Sequence, residues 1–583
     1  MGIGLSHSLS GSTASGRADT FPPRNWGGEA RSRPLLVLFI VLMVLLPLVQ
    51  LPWFLLEALI DGVPLGLSDP GFRRQALSAA LHSLETGAGG TLIACALGLS
   101  LATLTTMVRL RWRQTLVFCF VLQAMLPPQV VALAWLQLWS PLRDVLVAMG
   151  ASGLADLSNP LQTRWGIMAL LGIHYAPLVF LTARAGLMNI PLDVIEAART
   201  CGARPWTILV KVVWPLMTPA TAAGATMAFV SCVGNFGIPA FLGIPGDYLV
   251  LPTLIYQELS GFGGSALPRV TALAALVAML AAFGLLMQHL LVKEGHYRVM
   301  SKHMDEAPFS LGRAEPWLIL PTLTLVLLLL IAPLTALLVK SLAPALGVPL
   351  EWGNLSLQHY RYVLSNEATL SAFANSLFLS SGAVLVLGIC SVVLAYHIEY
   401  RRHRLLTGLA KLLEFAYVTP GVVLAMAMIL LYLRPIPIVE ISIYNTIWII
   451  FLAYLARFFT LQLRPVLSGF QQIPREILEA AEVFGSRFIS RFWHVLVPLL
   501  APAMGAGALL SLMLAMNELT VSALLWASGS ETLGVVVFGL EQGGESAAAS
   551  ALGVLSIVLV LALMLVASVF GRSLPVGALP WRA

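Results

Sequence analysis

The chain has 583 residues, 58% of them hydrophobic and only 11% charged, with a net charge of +6. Soluble globular chains are about 45–50% apolar and about 25% charged. So little charge cannot cover a soluble body of this size, which excludes a water-soluble enzyme, a disordered chain and a disulfide-rich secreted scaffold and leaves an all-α polytopic membrane protein.

Residues 1–34 are polar, rich in Gly and Ser, and carry Arg17, Arg24, Arg31 and Arg33. They read as a disordered cytoplasmic tail. The apolar run from Leu35 to Leu56 outlasts a secretory h-region of about 7–15 residues, so an uncleaved first span is expected. A spanning helix needs about 20 apolar residues. Runs of that kind fall near 35–58, 79–107, 115–139, 166–187, 212–241 and 268–292, and again near 315–340, 370–397, 411–433, 444–466, 496–527 and 547–571. Twelve spans in two sets of six give two six-helix domains, 35–292 and 315–571. A cytoplasmic linker at 293–314 joins them, and a cytoplasmic tail follows at 572–583.

Charge placement sets the orientation. With the N-terminus inside, 26 of the 34 Lys and Arg fall on the cytoplasmic side, while the 28 acids split 13 inside and 15 outside. Basic residues follow topology and acids do not, as the positive-inside rule expects. The surplus of +6 is therefore topological, and no nucleic acid partner is implied; the surrounding partner is membrane lipid. The five cysteines are scattered, with no CxxC and no zinc spacing, and read as small buried hydrophobes.

The two sets of six look like copies. GLMNIPLDVIEAARTCGARPWTILVKVVWPLMTPA, from Gly186, aligns without gaps with GFQQIPREILEAAEVFGSRFISRFWHVLVPLLAPA, from Gly469, at an offset of 283. The identities include Glu196/Glu479, Ala197/Ala480, Ala198/Ala481, Gly202/Gly485 and Pro215/Pro498. An even number of spans per copy keeps both in one orientation, so the repeat is parallel, about an axis along the membrane normal. Each segment lies between the fourth and fifth spans of its half. Pro191 or Pro474 suits a helix start, where its missing N–H costs nothing. Asp193 and Glu196, or Glu476 and Glu479, favour the positive end of that helix's dipole. The paired alanines leave a small, flat face, Gly202 or Gly485 lets the chain turn, and the next span is expected to begin at Pro215 or Pro498. The product is a short surface helix suited to docking into a partner's groove.

These two segments resemble the EAA loops of ABC importer permeases that work with a periplasmic binding protein. GNFGIPAFLGIP (234–245) with YLVLPTLIYQ (248–257), and NELTVSALLW (517–526) with ETLGVVVF (531–538), resemble the fused permeases of ferric-iron uptake. Related fused permeases serve thiamine and phosphonate, and polyamine permeases share the class. The resemblance implies the type I importer permease fold in the bacterial inner membrane. It implies a periplasmic binding protein outside and two copies of an ABC ATPase subunit inside, docked on Glu196–Gly202 and Glu479–Gly485. ATP and Mg would be bound by that partner, with no cofactor on this chain. A P-loop needs G-x-x-x-x-G-K-[ST]. None of the five lysines follows a glycine, so the energy is expected from a separate subunit.

Polar residues inside spans are costly and mark functional candidates. Glu518, placed in the eleventh span, pairs at offset 283 with Asn235 in the fifth, each about 20 residues past the repeated proline, Pro498 or Pro215. They are candidates for the translocation pathway, and so are His174 with its counterpart Arg457, and Glu85 in the second span. Glu518, Tyr248 and Tyr256 carry the hard oxygen atoms that a ferric ion prefers, but they form no ligand-spaced cluster, and no metal site is expected. A self-contained secondary transporter would also have twelve spans in two halves, though it would need no duplicated docking loop.

Overall fold

The structure, a computed structural model, describes residues 27–60, 69–150, 158–261, 266–291, 307–310, 312, 315–344, 354–435, 440 and 442–570. Long apolar runs interrupted by proline dictate long helices with a few breaks. The first half contains α1 (Gly27–Ile40), α2 (Leu46–Ile60), α3 (Pro70–Met107), α4 (Arg113–Met125), α5 (Pro128–Ala148), α6 (Arg164–Met188), α7 (Leu192–Thr200), α8 (Pro205–Ile208), α9 (Trp214–Gly234), α10 (Gly237–Leu242), α11 (Leu251–Ser260) and α12 (Ala266–Leu291). The second contains α13 (Glu315–Ser341), α14 (Gln358–Ser365), α15 (Glu367–Ala395), α16 (Arg404–Val418), α17 (Gly421–Tyr432), α18 (Ile447–Gln471), α19 (Arg475–Val483), α20 (Phe488–Arg491), α21 (Val497–Met516), α22 (Thr520–Leu525), α23 (Leu533–Gln542) and α24 (Ser546–Phe570). From α3 onward, equivalent helices differ by twelve. Among the described residues, ten helices are long and apolar enough to cross a membrane, or twelve if each of two bent pairs is one span. The chain is an all-α, multi-pass membrane protein.

Each half is built on one packed triad, α3–α6–α9 in the first and α15–α18–α21 in the second. Membrane helices associate through close packing of small residues rather than by hydrophobic exclusion. At Gly98 of α3, a Cβ would stand 2.7 Å from the Ala176 carbonyl oxygen of α6, so any side chain there would push the two backbones apart. The first spans cross over. α2 lies against α17 of the other half as well as α12 of its own, and α13 lies against α5 of the other half as well as α24 of its own. The reciprocal exchange ties the halves together.

Several expected boundaries shift. The helix of the first span begins at Gly27, inside the segment expected to be disordered; residues 1–26, like 571–583, lie outside the described residues. The third span of each half is two helices. The chain leaves the helix at Leu126–Pro127 and Thr419–Pro420, because a residue before proline is barred from helical backbone. In the second half α16 and α17 meet at 111°. The fifth and eleventh spans start at Pro205 and Phe488, earlier than the expected Pro215 and Pro498. A π turn (Leu209–Val213, Phe492–Leu496) directly precedes each X–Pro pair. Proline cannot donate to the previous turn, and one widened turn absorbs that missing bond without ending the helix. The same device stands at Val41–Leu45, before Leu46–Pro47.

Candidate functional site: paired loop helices and central breaks

The repeated segments fold into α7 and α19, each held between two long helices. Pro191 and Pro474 cap them in extended backbone, with Asp193 and Glu476 in their first turns. Both helices end the same way. The Gly202 N–H donates to Arg199 O (2.9 Å) and the Ala203 N–H to Ala198 O (3.0 Å); the Gly485 N–H donates to Glu482 O (2.9 Å) and the Ser486 N–H to Ala481 O (3.0 Å). This is the Schellman stop, which requires a left-handed residue. Gly202 and Gly485 supply it at φ +79° and +74°. A Cβ at either would meet nothing within 4 Å. The requirement is therefore for backbone hand, not for space.

Ile195 and Leu478 point into the protein, while Glu196, Ala197, Glu479 and Ala480 are exposed. The outward faces differ at the helix ends. Val483 and Phe484 of the second copy are 86% and 90% exposed, where the first copy has Thr200 and Cys201. Their anchoring differs too. Glu482 accepts from Arg401 Nη2 (2.8 Å) and pairs with Arg491. Arg199, at the matching position of α7, lies over the Phe309 ring, 4.9 Å from its centroid.

The pathway candidates lie at the breaks. Neither Asn235 nor Glu518 is inside a helix, although the expected spans 212–241 and 496–527 run through both; Asn235 caps the end of α9, and Glu518 follows α21. Each caps the next short helix. Asn235 Oδ1 accepts from the Ile238 N–H (2.8 Å), and Glu518 Oε1 accepts from the Val521 N–H (3.0 Å). The second polar atom of each reaches the long helix of its own triad. Asn235 Nδ2 donates to Tyr175 Oη (2.7 Å), and Glu518 Oε2 pairs with Arg457 Nε (3.0 Å). His174 is buried edge-on to Tyr175, and its Nδ1 finds no hydrogen-bond partner among the described residues. Four of the five candidates thus gather at the breaks. Glu85 does not. It is half-exposed, accepts from Tyr248 Oη (2.9 Å) and stands 3.8 Å from Arg164 Nη1. Burial and the Glu85 carboxylate push the Tyr248 phenol well above its ordinary range, so it stays protonated and remains the donor.

The halves meet where these breaks face each other. Asn517 Nδ2 donates to Met125 O (2.8 Å) at the break between α4 and α5, and Gln129 Nε2 donates to Asn517 O (3.4 Å). The counterpart of Asn517 is Gly234, where a Cβ would stand 2.9 Å from Pro420 Cβ at the matching break of the second half. Beside Gln129 and Asn517 lies a void of only ≈10 Å³, about one water's worth of room. Phe236 and Tyr256 of the first half meet Phe538 of the second, each ring 5.5 Å from it between centroids. Aromatic pairs at this spacing pack with real cohesion. The two halves are packed against each other here.

Sequence reading missed the pins that fasten the loops before α11 and α23. Ser83 Oγ accepts from the Leu251 N–H (2.8 Å) and Ser376 Oγ from the Leu533 N–H (2.9 Å); beside them His82 Nδ1 lies 2.8 Å from Leu249 O, while Asn375 donates to Glu531 O (3.0 Å). The signal was present at another offset. Ser83/Ser376 and Pro127/Pro420 stand 293 apart and Thr163/Thr446 stand 283 apart, because the first half is longer between its third and fourth spans.

Residues 94–294 and 388–575 match the family described as binding-protein-dependent transport system inner membrane component. A probable ABC transporter permease of Sinorhizobium fredii, y4fN, is 28% identical over 411 residues, covering 69% of this chain and 70% of that protein. The ferric transport system permease FbpB of Actinobacillus pleuropneumoniae is 24% identical over 409 residues, 69% of this chain and 57% of that protein. The spermidine/putrescine permease PotC of Haemophilus influenzae is 26% identical over 230 residues, 38% of this chain and 84% of that protein. A chain from the crystal structure of a bacterial ABC transporter that imports alginate superposes with a TM-score of 0.36 at 19% identity, covering 44% of this chain and 96% of that one. With two matched regions spanning more than half its length, the chain belongs to the family of binding-protein-dependent inner membrane transport components, as a permease carrying both domains in one polypeptide.

Proposed function

We propose that this permease is the membrane subunit of an ATP-driven importer, with α7 and α19 as its two coupling helices. The observation that carries this reading is the same helix stop built twice, 283 residues apart, beneath an exposed small-residue face. An exposed pair such as Val483–Phe484 at a helix end suits a partner's apolar pocket. Its orientation follows from the basic residues, with both termini, α7 and α19 in the cytoplasm. One ATPase subunit docks on each helix, and a periplasmic binding protein delivers substrate to the opposite end. ATP draws the two subunits together and carries α7 and α19 with them. Each coupling helix turns at its glycine into α8 or α20, which is continuous through a π turn with α9 or α21, whose far end carries Asn235 or Glu518. Movement at the docking face therefore reaches the central breaks through one glycine turn and one continuous helix. Separation of Phe538 from Phe236 and Tyr256 opens the outer end, and reversal after hydrolysis opens the inner one.

Ferric iron is the substrate this reading favours, from the likeness of the 234–257 and 517–538 segments to ferric permeases and from the similarity to FbpB. The similarity to PotC supports a polyamine as the second reading. Among the described residues no three His, Cys, Asp or Glu converge as a metal site. Uptake of labelled ferric iron against labelled spermidine, each presented on the binding protein encoded with the transporter, separates the two. The coupling role has its own test. Replacing Gly202 and Gly485 with Trp forces a side chain into left-handed backbone, at roughly 1–2 kcal/mol per site, and places bulk on the docking face. The doubly substituted protein is expected to insert normally but to lose uptake while its ATPase continues to hydrolyse ATP. Unchanged uptake would contradict the coupling role.

A further inference from the structure

We propose that the connection between the two halves is a strap that holds the first coupling helix, with Phe309 as its positioning residue. This rests on the reading of α7 as a coupling helix. A plain tether between two domains needs no defined contact. Here the described part of the linker, Ala307–Ser310, docks against the end of α3. The Phe309 N–H donates to Met107 O (3.0 Å), the Arg109 N–H donates back to Phe309 O (2.9 Å), and Arg109 Nε donates to Ala307 O (3.2 Å). Phe309 and Val108 form a parallel bridge. Just beyond, the Arg111 N–H donates to Glu315 Oε1 (2.7 Å), at the first residue of α13.

This backbone seat aims one side chain. The Phe309 ring packs with the apolar cluster that contains Leu192, Ile195 and Ala198 of α7, and the Arg199 guanidinium lies over its face. Guanidinium over an aromatic face is attractive and directional. α7 is thus held at its last turn by a cation–π contact from a segment outside its own domain, and its inner face shares an apolar cluster with that segment. Among the described residues the second coupling helix is held differently. Its counterpart residue is Glu482, which pairs with Arg401 and Arg491 of its own half. The repeat has therefore diverged at the position that decides what each helix holds. Displacement of α7 pulls on Phe309, and through the strap on the start of α13, which lies against α5 and α24. The linker thus gives the first docking helix a contact that leads to the start of α13 in the other half.

The test uses the full transporter in proteoliposomes with its ATPase and binding protein, reading uptake per ATP hydrolysed. F309A is expected to lower that ratio about fivefold, the low end of couplings between distant sites. F309W should restore it, and F309L, which keeps bulk without an aromatic face, should not. R199Q should behave as F309A does, and the double variant should be no worse than either alone, because both remove one contact. An unchanged ratio in F309A, or a loss of protein yield with the ratio intact, would overturn the proposal. The Gly202 and Gly485 variants run alongside. If they uncouple while F309A does not, the coupling reading stands and the strap fails. If neither uncouples, the coupling reading itself fails.

Discussion

Arg457 and Glu518 form the charged contact at the central breaks. The Glu518 side chain is only 9% exposed and that of Arg457 25%. Its carboxylate is doubly used, by the Arg457 guanidinium and by the Val521 N–H. Removing one partner of a buried pair leaves a charge without compensation, at about 3–5 kcal/mol, whereas removing both costs far less. E518A is therefore expected to lower the thermal unfolding temperature of the purified protein markedly, and R457M/E518A to recover most of the loss. If the double variant were as unstable as the sum of the single ones, the pair would not be the unit that holds this break. The sequence marked Glu518 and Asn235 as matching polar positions, because equal offset in a repeat needs no coordinates. It did not show that both are caps. A capping role depends on the chain leaving the helix at Asn235 and Asn517, and no proline stands at those two positions to announce the break.

At the scale of elements, proline and glycine carried most of what could be read in advance. Pro191, Gly202 and their copies define α7 and α19 to within a residue. Pro127 and Pro420 split the third spans, yet hydropathy alone ran through them, since apolar residues continue on both sides. The π turns escaped for a different reason. A proline was taken as a helix start, whereas a widened turn lets the helix pass through it. The two loop helices, α7 and α19, are also less alike than their alignment suggests. Val483–Phe484 is exposed and apolar where Thr200–Cys201 is small and more polar. F484D is expected to weaken co-purification of the ATPase at least tenfold, about 1.4 kcal/mol, and C201D to weaken it less. Equal effects would show that the apolar end of α19 is no special anchor.

For the molecule as a whole, composition and the long apolar runs were enough for an all-helical, multi-pass protein, because the bilayer restricts a spanning chain to few solutions, and the repeat at an offset of 283 divided it into two halves. The exchange of α2 and α13 between halves was not legible. A first span carries the same apolar signal whichever neighbour it packs on, and the choice between α17 and α5 depends on shape across the interface. That exchange and the facing breaks make the packed centre a joint property of both halves, and under the proposed mechanism opening it takes concerted movement of α7 and α19. The most direct measurement is substrate uptake into proteoliposomes containing this chain, its binding protein and ATP, with and without the ATPase. Uptake that requires both the ATPase and ATP, and that disappears when Gly202 and Gly485 are replaced, is the predicted result. Uptake by the chain without the ATPase, driven by an ion gradient, would contradict it.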